Sequence, residues 1–224
     1  MARRGDVLRE HILWAAKDVF LDMGFERASM DLVAARAETS KRSLYAHFES
    51  KEKLFLAVID LVRDLFLARL RVPGDYSEQP AQALAMFCAR YLEILLYEGS
   101  IQMCRVSMAE TTRFPEGAAQ YFDVLFTEVQ TRLSAYLKTT FELTAGSSAE
   151  AAHRLLGQIL YPRFPRALFG IDPLAESFDD EALAPDFDLK PIRNAVADVI
   201  ASLQKPEAPT FSRLSGYADR SEDD

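Results

Sequence analysis

Apolar residues return every three or four positions along almost the whole chain, and almost nowhere every second position. That is the repeat of helices with one buried face, and no segment alternates as a half-buried strand would. Glycine, which weakens helix interiors, is scarce at 9 of 224 residues. The chain is therefore predicted to be all-α, with about nine helices packed around a shared core.

The first helix is expected over about 6–23, where Leu8, Ile12, Ala15, Ala16, Val19, Phe20 and Met23 fall on one face. Gly24 follows as a residue free to take positive φ at the helix end. Ser29 then caps a short helix, about 30–37, with Leu32, Val33 and Ala34 inward. After the turn Glu38-Thr39-Ser40, a second short helix runs over about 41–48, with Leu44 and Phe48 one turn apart. Ser50 caps a longer helix reaching about Leu70.

Pro73-Gly74-Asp75 and Pro80 break the pattern and mark a boundary. Beyond it, helices are expected at about 80–97, 101–112 and 115–143, the last interrupted near its middle. Ser147 and Ser148 serve as caps for another over 149–170, kinked between Tyr161 and Pro165 by two prolines. Residues 172–188 read as an acidic linker, 189–204 as a last helix and 205–224 as a disordered tail. The organisation is thus 1–53 as one unit, 54–72 as a connecting helix, 73–204 as a helical body, and 205–224 as the tail.

The formal charge of −8 argues at first against a nucleic-acid partner. It is unevenly spread. Residues 1–71 hold 13 basic and 11 acidic residues, net +2, whereas 172–188 alone contain seven acids and no base. The N-terminal unit is mildly basic and the acidity belongs to the linker and tail.

Several classes are disfavoured. Cys88 and Cys104 form no CxxC pair and read as small buried hydrophobes rather than a redox pair. The three histidines, His11, His47 and His153, are scattered, and no metal-spaced cluster, phosphate loop or nucleophile elbow occurs. The chain is accordingly read as no enzyme, with no cofactor and no metal. No apolar h-region follows the first residues and no run approaches a membrane span, so a soluble, cytoplasmic protein is expected.

Two short helices joined by a tight turn form a helix-turn-helix, in which the second helix lies in the major groove and the first braces it. Lys41, Arg42 and Ser43 stand at the start of that second helix, where Arg and Lys can donate to guanine edges. Tyr45 and His47 can donate to phosphate oxygens, and Lys51, at the next helix start, to another.

The order Phe20-(x)3-Gly24-Phe25, Ala28-Ser29-Met30, Val33-Ala34 and Ser40-(x)4-Tyr45-Ala46-His47-Phe48-(x)2-Lys51-Glu52-(x)1-Leu54 resembles the TetR/AcrR family of transcriptional regulators. The stretch Glu110-(x)2-Arg113-Phe114-Pro115 is similar to a feature of AefR-like C-terminal domains, as is Arg166-Ala167-Leu168-Phe169-Gly170. The resemblance implies a homodimer that binds palindromic double-stranded operator DNA and is released by a small-molecule effector, most simply as a repressor. It assigns Ser29, Ser40, Lys41, Arg42, Ser43, Tyr45, His47 and Lys51 to DNA, and Phe20, Phe25, Leu44 and Phe48 to holding the DNA-binding unit together. One departure is Glu38, where the family's turn usually begins with glycine. A carboxylate there brings negative charge toward DNA, and Glu tolerates a left-handed backbone poorly.

In the body, Phe87, Tyr91, Met103, Met108, Phe122, Phe126 and Ile159 are candidate walls of an apolar effector cavity, with Arg90, Arg105 and His153 to orient a polar end. The resemblance places dimerisation on the last two helices, where Leu156, Leu160, Phe164, Phe169, Val196, Val199 and Leu203 are candidates for an apolar isologous interface. The alternative is a helical protein-interaction or scaffold module that has lost DNA binding, an idea supported by Glu38 and the acidic total.

Overall fold

The computed structural model describes residues 4–177, 179 and 182–203. The expected tail over 205–224 lies outside them. Eleven α-helices are found among the described residues: α1 Arg4–Arg27, α2 Met30–Arg36, α3 Lys41–His47, α4 Lys51–Arg69, α5 Pro80–Leu95, α6 Glu98–Ala109, α7 Pro115–Phe122, α8 Glu128–Thr140, α9 Ala145–Leu160, α10 Arg163–Leu168 and α11 Lys190–Leu203. Two expected helices are each divided, which accounts for eleven rather than nine. The helix over 115–143 opens into one π turn at Asp123–Thr127. The helix over 149–170 stops at Leu160, and α10 restarts after Pro162. Pro165 is tolerated in α10 because first-turn amides have no intrahelical acceptor to lose.

Helix starts follow side-chain chemistry. The hydroxyls of Ser29, Ser40 and Ser50 accept hydrogen bonds from the amides of Leu32, Ser43 and Lys53. Three boundaries differ from expectation. Helix α1, expected to end at Gly24, bends there and runs on to Arg27. The cap of α9 is Thr144, whose Oγ1 accepts from the Ser147 amide at 3.1 Å, so Ser147 and Ser148 lie inside the helix. Helix α6 begins at Glu98 rather than near 101, taking Gly99 and Ser100 into its first turn.

Helices α1–α3 and the start of α4 make a head; α5–α11 make a body. Their buried side chains form one continuous core. In the head, Phe20, Phe25 and Phe55 pack with ring centroids 5.0–5.8 Å apart, and Leu44 and Phe48 anchor α3 from below. Leu32, expected inward, is instead exposed on α2. A three-residue spacing cannot distinguish the edge of a face from its centre on so short a helix.

The acidic stretch before α11 is non-helical where described, yet it is tied down. Glu93 Oε2 and Arg90 meet at 2.7 Å with both side chains 4% exposed. From this buried pair, Glu93 Oε1 accepts from the Ala184 amide and Arg90 donates to the Ala182 carbonyl. Further back, the Glu98 amide donates to the Ala175 carbonyl at 2.9 Å.

Candidate nucleic-acid interface and effector cavity

Helix α2 ends in a tightly specified turn. The Thr39 amide donates to the Ala34 carbonyl and the Glu38 amide to the Ala35 carbonyl, the paired bonds of a Schellman end. That motif needs a left-handed residue, and Glu38 supplies it at φ 46°. The turn therefore keeps the shape glycine would give it, at the cost of strain in an L-residue.

The turn presents α3 with Leu44 and Phe48 buried and Lys41, Arg42, Tyr45 and Ala46 exposed. Lys41 Nζ lies 2.6 Å from Asp31 Oδ2, both side chains more than 60% exposed. An exposed pair of this kind contributes little, so the ammonium can be transferred to a phosphate at small cost. Ser40 and Ser43 share a hydrogen bond at the start of α3. Ser29 caps α2 through its oxygen and retains its hydroxyl hydrogen for a second partner. His47 is half-buried, its ring 6.4 Å from that of Phe48. Arg9, which sequence reasoning missed, reaches over the Phe48 ring at 5.2 Å from α1.

In the free chain Lys51, expected at a phosphate, is engaged within the head. Its ammonium donates to the carbonyls of Phe25, Glu26 and Ala28 at 2.8, 3.2 and 3.1 Å, and lies 4.4 Å from the Phe25 ring centroid. An ammonium has three donors, and all three are used here. The side chain thus binds the carbonyl end of α1, where the helix dipole favours a cation.

The Glu110-(x)2-Arg113-Phe114-Pro115 motif joins body to head. The Glu110 carbonyl accepts from the Arg113 and Phe114 amides, which turns the chain back after α6. Phe114 is thereby set against Phe25, stacked at 5.8 Å, and Phe55 at 6.0 Å. Arg113 reaches Glu26 at 3.2 Å. Gly117 makes room: a Cβ there would come within 2.7 Å of the Phe114 ring and 3.1 Å of Phe55.

A cavity of about 280 Å³ lies between the head and the body. Trp14, Lys17 and Leu21 of α1 form one wall, and Val62, Leu65, Phe66 and Arg69 of α4 another. Ile94, Tyr97, Met103, Tyr121 and Leu125 close it from the body, with Glu176 at its edge. Tyr121 is fully buried and its phenol, pushed up by that burial, donates to the Ser100 carbonyl at 3.2 Å.

Of the expected cavity residues, only Met103 lines this space. Phe87, Tyr91 and Ile159 are buried in the body core. The Arg90 side chain is committed to Glu93 and the 182–184 strap. Arg105 binds the carbonyls of Ala167 and Leu168. Met108 and His153 face outward, and Phe122, 57% exposed, meets Phe126 at a tilt, which in turn meets Phe164 edge-on. The walls of this cavity on α1 and α4 follow a stripe on each helix: 14, 17 and 21 on α1, and 62, 65, 66 and 69 on α4.

The expected dimer residues also divide. Leu156, Val196 and Val199 are buried in the chain's own core. Leu160, Phe164 and Leu203 are half-buried against it. Phe169 is 81% exposed, beside α10, and Tyr161 on the other end of that helix is also exposed.

Burial pushes the thiols of Cys88 and Cys104 up to about 12, the opposite of reactive cysteines. Among the described residues no cluster of His, Cys, Asp and Glu is arranged to hold a metal ion, and no helix is long and apolar enough to cross a membrane.

Comparison with known proteins matches both halves. The model of "Bacterial regulatory proteins, tetR family" matches residues 12–58, and that of the "AefR-like transcriptional repressor, C-terminal domain" matches residues 82–184. The HTH-type transcriptional activator FasR of Mycolicibacterium smegmatis is 30% identical over 157 residues, 68% of each chain. The chain belongs to the TetR family. It is thus a transcriptional regulator with a helix-turn-helix DNA-binding unit, a class that does not consist of enzymes. The repressor NicS of Pseudomonas putida is 33% identical over 93 residues, 40% of this chain and 44% of NicS. Among solved structures, a TetR-family regulator from Mesorhizobium loti shares the fold at a TM-score of 0.68 and 20% identity, covering 90% of this chain and 97% of its own. One from Pseudomonas syringae does so at 0.61 and 25% identity, covering 86% and 95%.

Proposed function

We propose that this TetR-family chain is a cytoplasmic homodimeric repressor that binds palindromic operator DNA through α3 and releases it when a small, largely apolar effector binds. The observation that carries the DNA reading is the outward face of α3. Lys41, Arg42 and Tyr45 point away from the core while Leu44 and Phe48 fix the helix axis. Arg42 is assigned to a base edge, and Lys41, Tyr45, His47 and the hydroxyls of Ser29, Ser40 and Ser43 to the DNA around it. Repression is supported by the description of the matching C-terminal family and by NicS, while FasR is named an activator.

The dimer is assigned to the outer faces of α9–α11. Gly157, Ala197 and Ala201 there permit close helix approach, and Tyr161 and Phe169 supply apolar area. Two α3 helices must then stand about 34–36 Å apart to meet successive major grooves.

The test uses the promoter fragment beside the chain's own gene, with affinity measured by fluorescence anisotropy across a salt series. A steep negative log–log slope is expected from phosphate contacts. Arg42→Ala should cost about 1–3 kcal/mol and relax base preference at one position per half-site. A slope near zero would favour the protein-interaction alternative.

A further inference from the structure

We propose that Arg9 of α1 is a DNA contact, a guanidinium held beside the C-terminal end of α3 to meet a phosphate. This rests on the reading of α3 as the recognition helix and adds to it a residue from outside the helix-turn-helix.

The position comes from Phe48. That residue caps the end of α3 with its ring in the head core, and the guanidinium carbon of Arg9 lies 5.2 Å from the ring centroid. The ring of His47, the last residue of α3, lies 6.4 Å from the same ring. Arg9 and His47 are thus gathered around one aromatic side chain at one end of one short helix. A recognition helix turns its N-terminal residues to the base edges. Helix α3 has seven residues and is about 10 Å long, close to the major groove's width of about 12 Å. With Arg42 at the bases, the other end of α3 therefore lies at the strand that borders the groove, where the acceptors are phosphate oxygens.

The charge at that end is uncommitted. The Arg9 side chain is exposed, and among the described residues it enters no ion pair. Asp6 and Glu10 neighbour it on α1, and with Asp60 and Asp64 of α4 they line a hollow beside it. The carboxylates of Asp60 and Asp64 are held by Arg63. Other cations of the head differ from Arg9: Arg36 and Lys41 meet Asp22 and Asp31 at 3.1 and 2.6 Å, and Lys51 donates to three carbonyls. A contact with a ring face consumes none of the five N–H donors of a guanidinium. The Phe48 ring therefore fixes where the charge stands and leaves its planar fork for two oxygens of one phosphate.

An arginine that only covered Phe48 would make the same contact without DNA, and the salt dependence separates the two roles. The full chain selects an operator fragment from genomic DNA, and affinity is read by fluorescence anisotropy between about 50 and 200 mM salt for the wild type, Arg9→Met, Arg9→Gln and Arg9→Lys. One phosphate contact contributes about 0.9 to the log–log slope, so its loss from both heads of a dimer makes the slope shallower by about 1.8. The advantage of wild type over Arg9→Met then shrinks about twelvefold across that salt range. Arg9→Gln should match Arg9→Met, whereas Arg9→Lys keeps the charge and hence the slope. The neutral variants should lose the same factor on the operator and on a version with one base pair changed in each half-site, because a phosphate carries no sequence information. Their urea midpoints should stay with the wild type. A wild-type slope near zero would overturn the DNA-binding reading itself. A steep wild-type slope that both neutral variants leave unchanged, with or without a lowered urea midpoint, overturns the Arg9 assignment alone. A loss confined to one of the two operators overturns it as well, since that is the mark of a base contact.

Discussion

Replacing Lys51 with Met separates two accounts of the most family-typical residue of the head. The structure gives the ammonium three carbonyl acceptors at the end of α1 and the face of Phe25. Hydrogen bonds to a charged group are worth about 1.5–3 kcal/mol each, but three from one half-exposed lysine are not additive, since water re-solvates part of what is lost. A favourable helix-end charge contributes about 0.3–1 kcal/mol more. Methionine keeps the stem's packing and removes only the charge and donors, so the expected loss is about 2–3 kcal/mol. For a chain of this size that lowers Tm by roughly 5–10 °C. Lys51→Arg should fall between, because a planar guanidinium fork cannot converge three donors on one point. DNA binding gives the second readout. A phosphate-contacting lysine contributes about 0.9 to the salt slope, hence about 1.8 for the two heads of a dimer. On the structural account Lys51→Met weakens operator binding through the disturbed head and leaves the slope unchanged. Unaltered denaturant stability together with a slope shallower by about 1.8 would refute it.

Three further outcomes are expected. Glu38→Gly removes a left-handed L-residue worth about 1–2 kcal/mol of strain and pays part of it back in unfolded-chain entropy, so stability should rise by about 0.5–1 kcal/mol in urea titrations, with tighter DNA binding from the lost carboxylate. Glu93→Ala leaves the buried Arg90 without its carboxylate and frees the Ala184 amide, so it should destabilise by about 3–5 kcal/mol in the same assay. Raising the pH tests the thiols: Cys88 and Cys104 ionise near 9.0 when unfolded but only at about 12 when buried, so the unfolded state releases protons first. Their contribution is complete below pH 9 and is lost as the pH rises from 9 to about 12, and Cys88→Ala should make that alkaline limb shallower.

The head was legible because its pattern is local. Ser29, Ser40 and Ser50 cap through atoms three residues away, and Leu44 and Phe48 hold α3 by an i, i+4 relation. Gly24 takes the positive φ expected of it, 74°. The cavity was not legible because its walls come from five helices, and no spacing within one helix shows which of its residues meet those of another across a gap. The dimer residues were misread for a related reason. Val196 and Val199 lie on the apolar stripe of α11, but a stripe shows only that a partner exists, and here the partner is the chain's own α5 and α9. Lys51 was recognisable as important from its neighbours in the motif, but its acceptors are carbonyls from 23 to 26 residues earlier, and no side-chain spacing reveals where a backbone oxygen points.

These corrections converge on α1. Its middle forms a wall of the cavity through Trp14, Lys17 and Leu21. Its far end, beyond the bend at Gly24, is held by Lys51 from α4 and by Phe114 and Arg113 from the body. Its core face, Ile12, Ala16, Val19 and Phe20, is buried within the head that carries α3. The bend at Gly24 separates the cavity wall from the end that Phe114 and Arg113 hold, so the two contacts act on different segments of α1, and the Arg113-Phe114 contact couples the last turn of α1 to the body through ring packing and one ion pair.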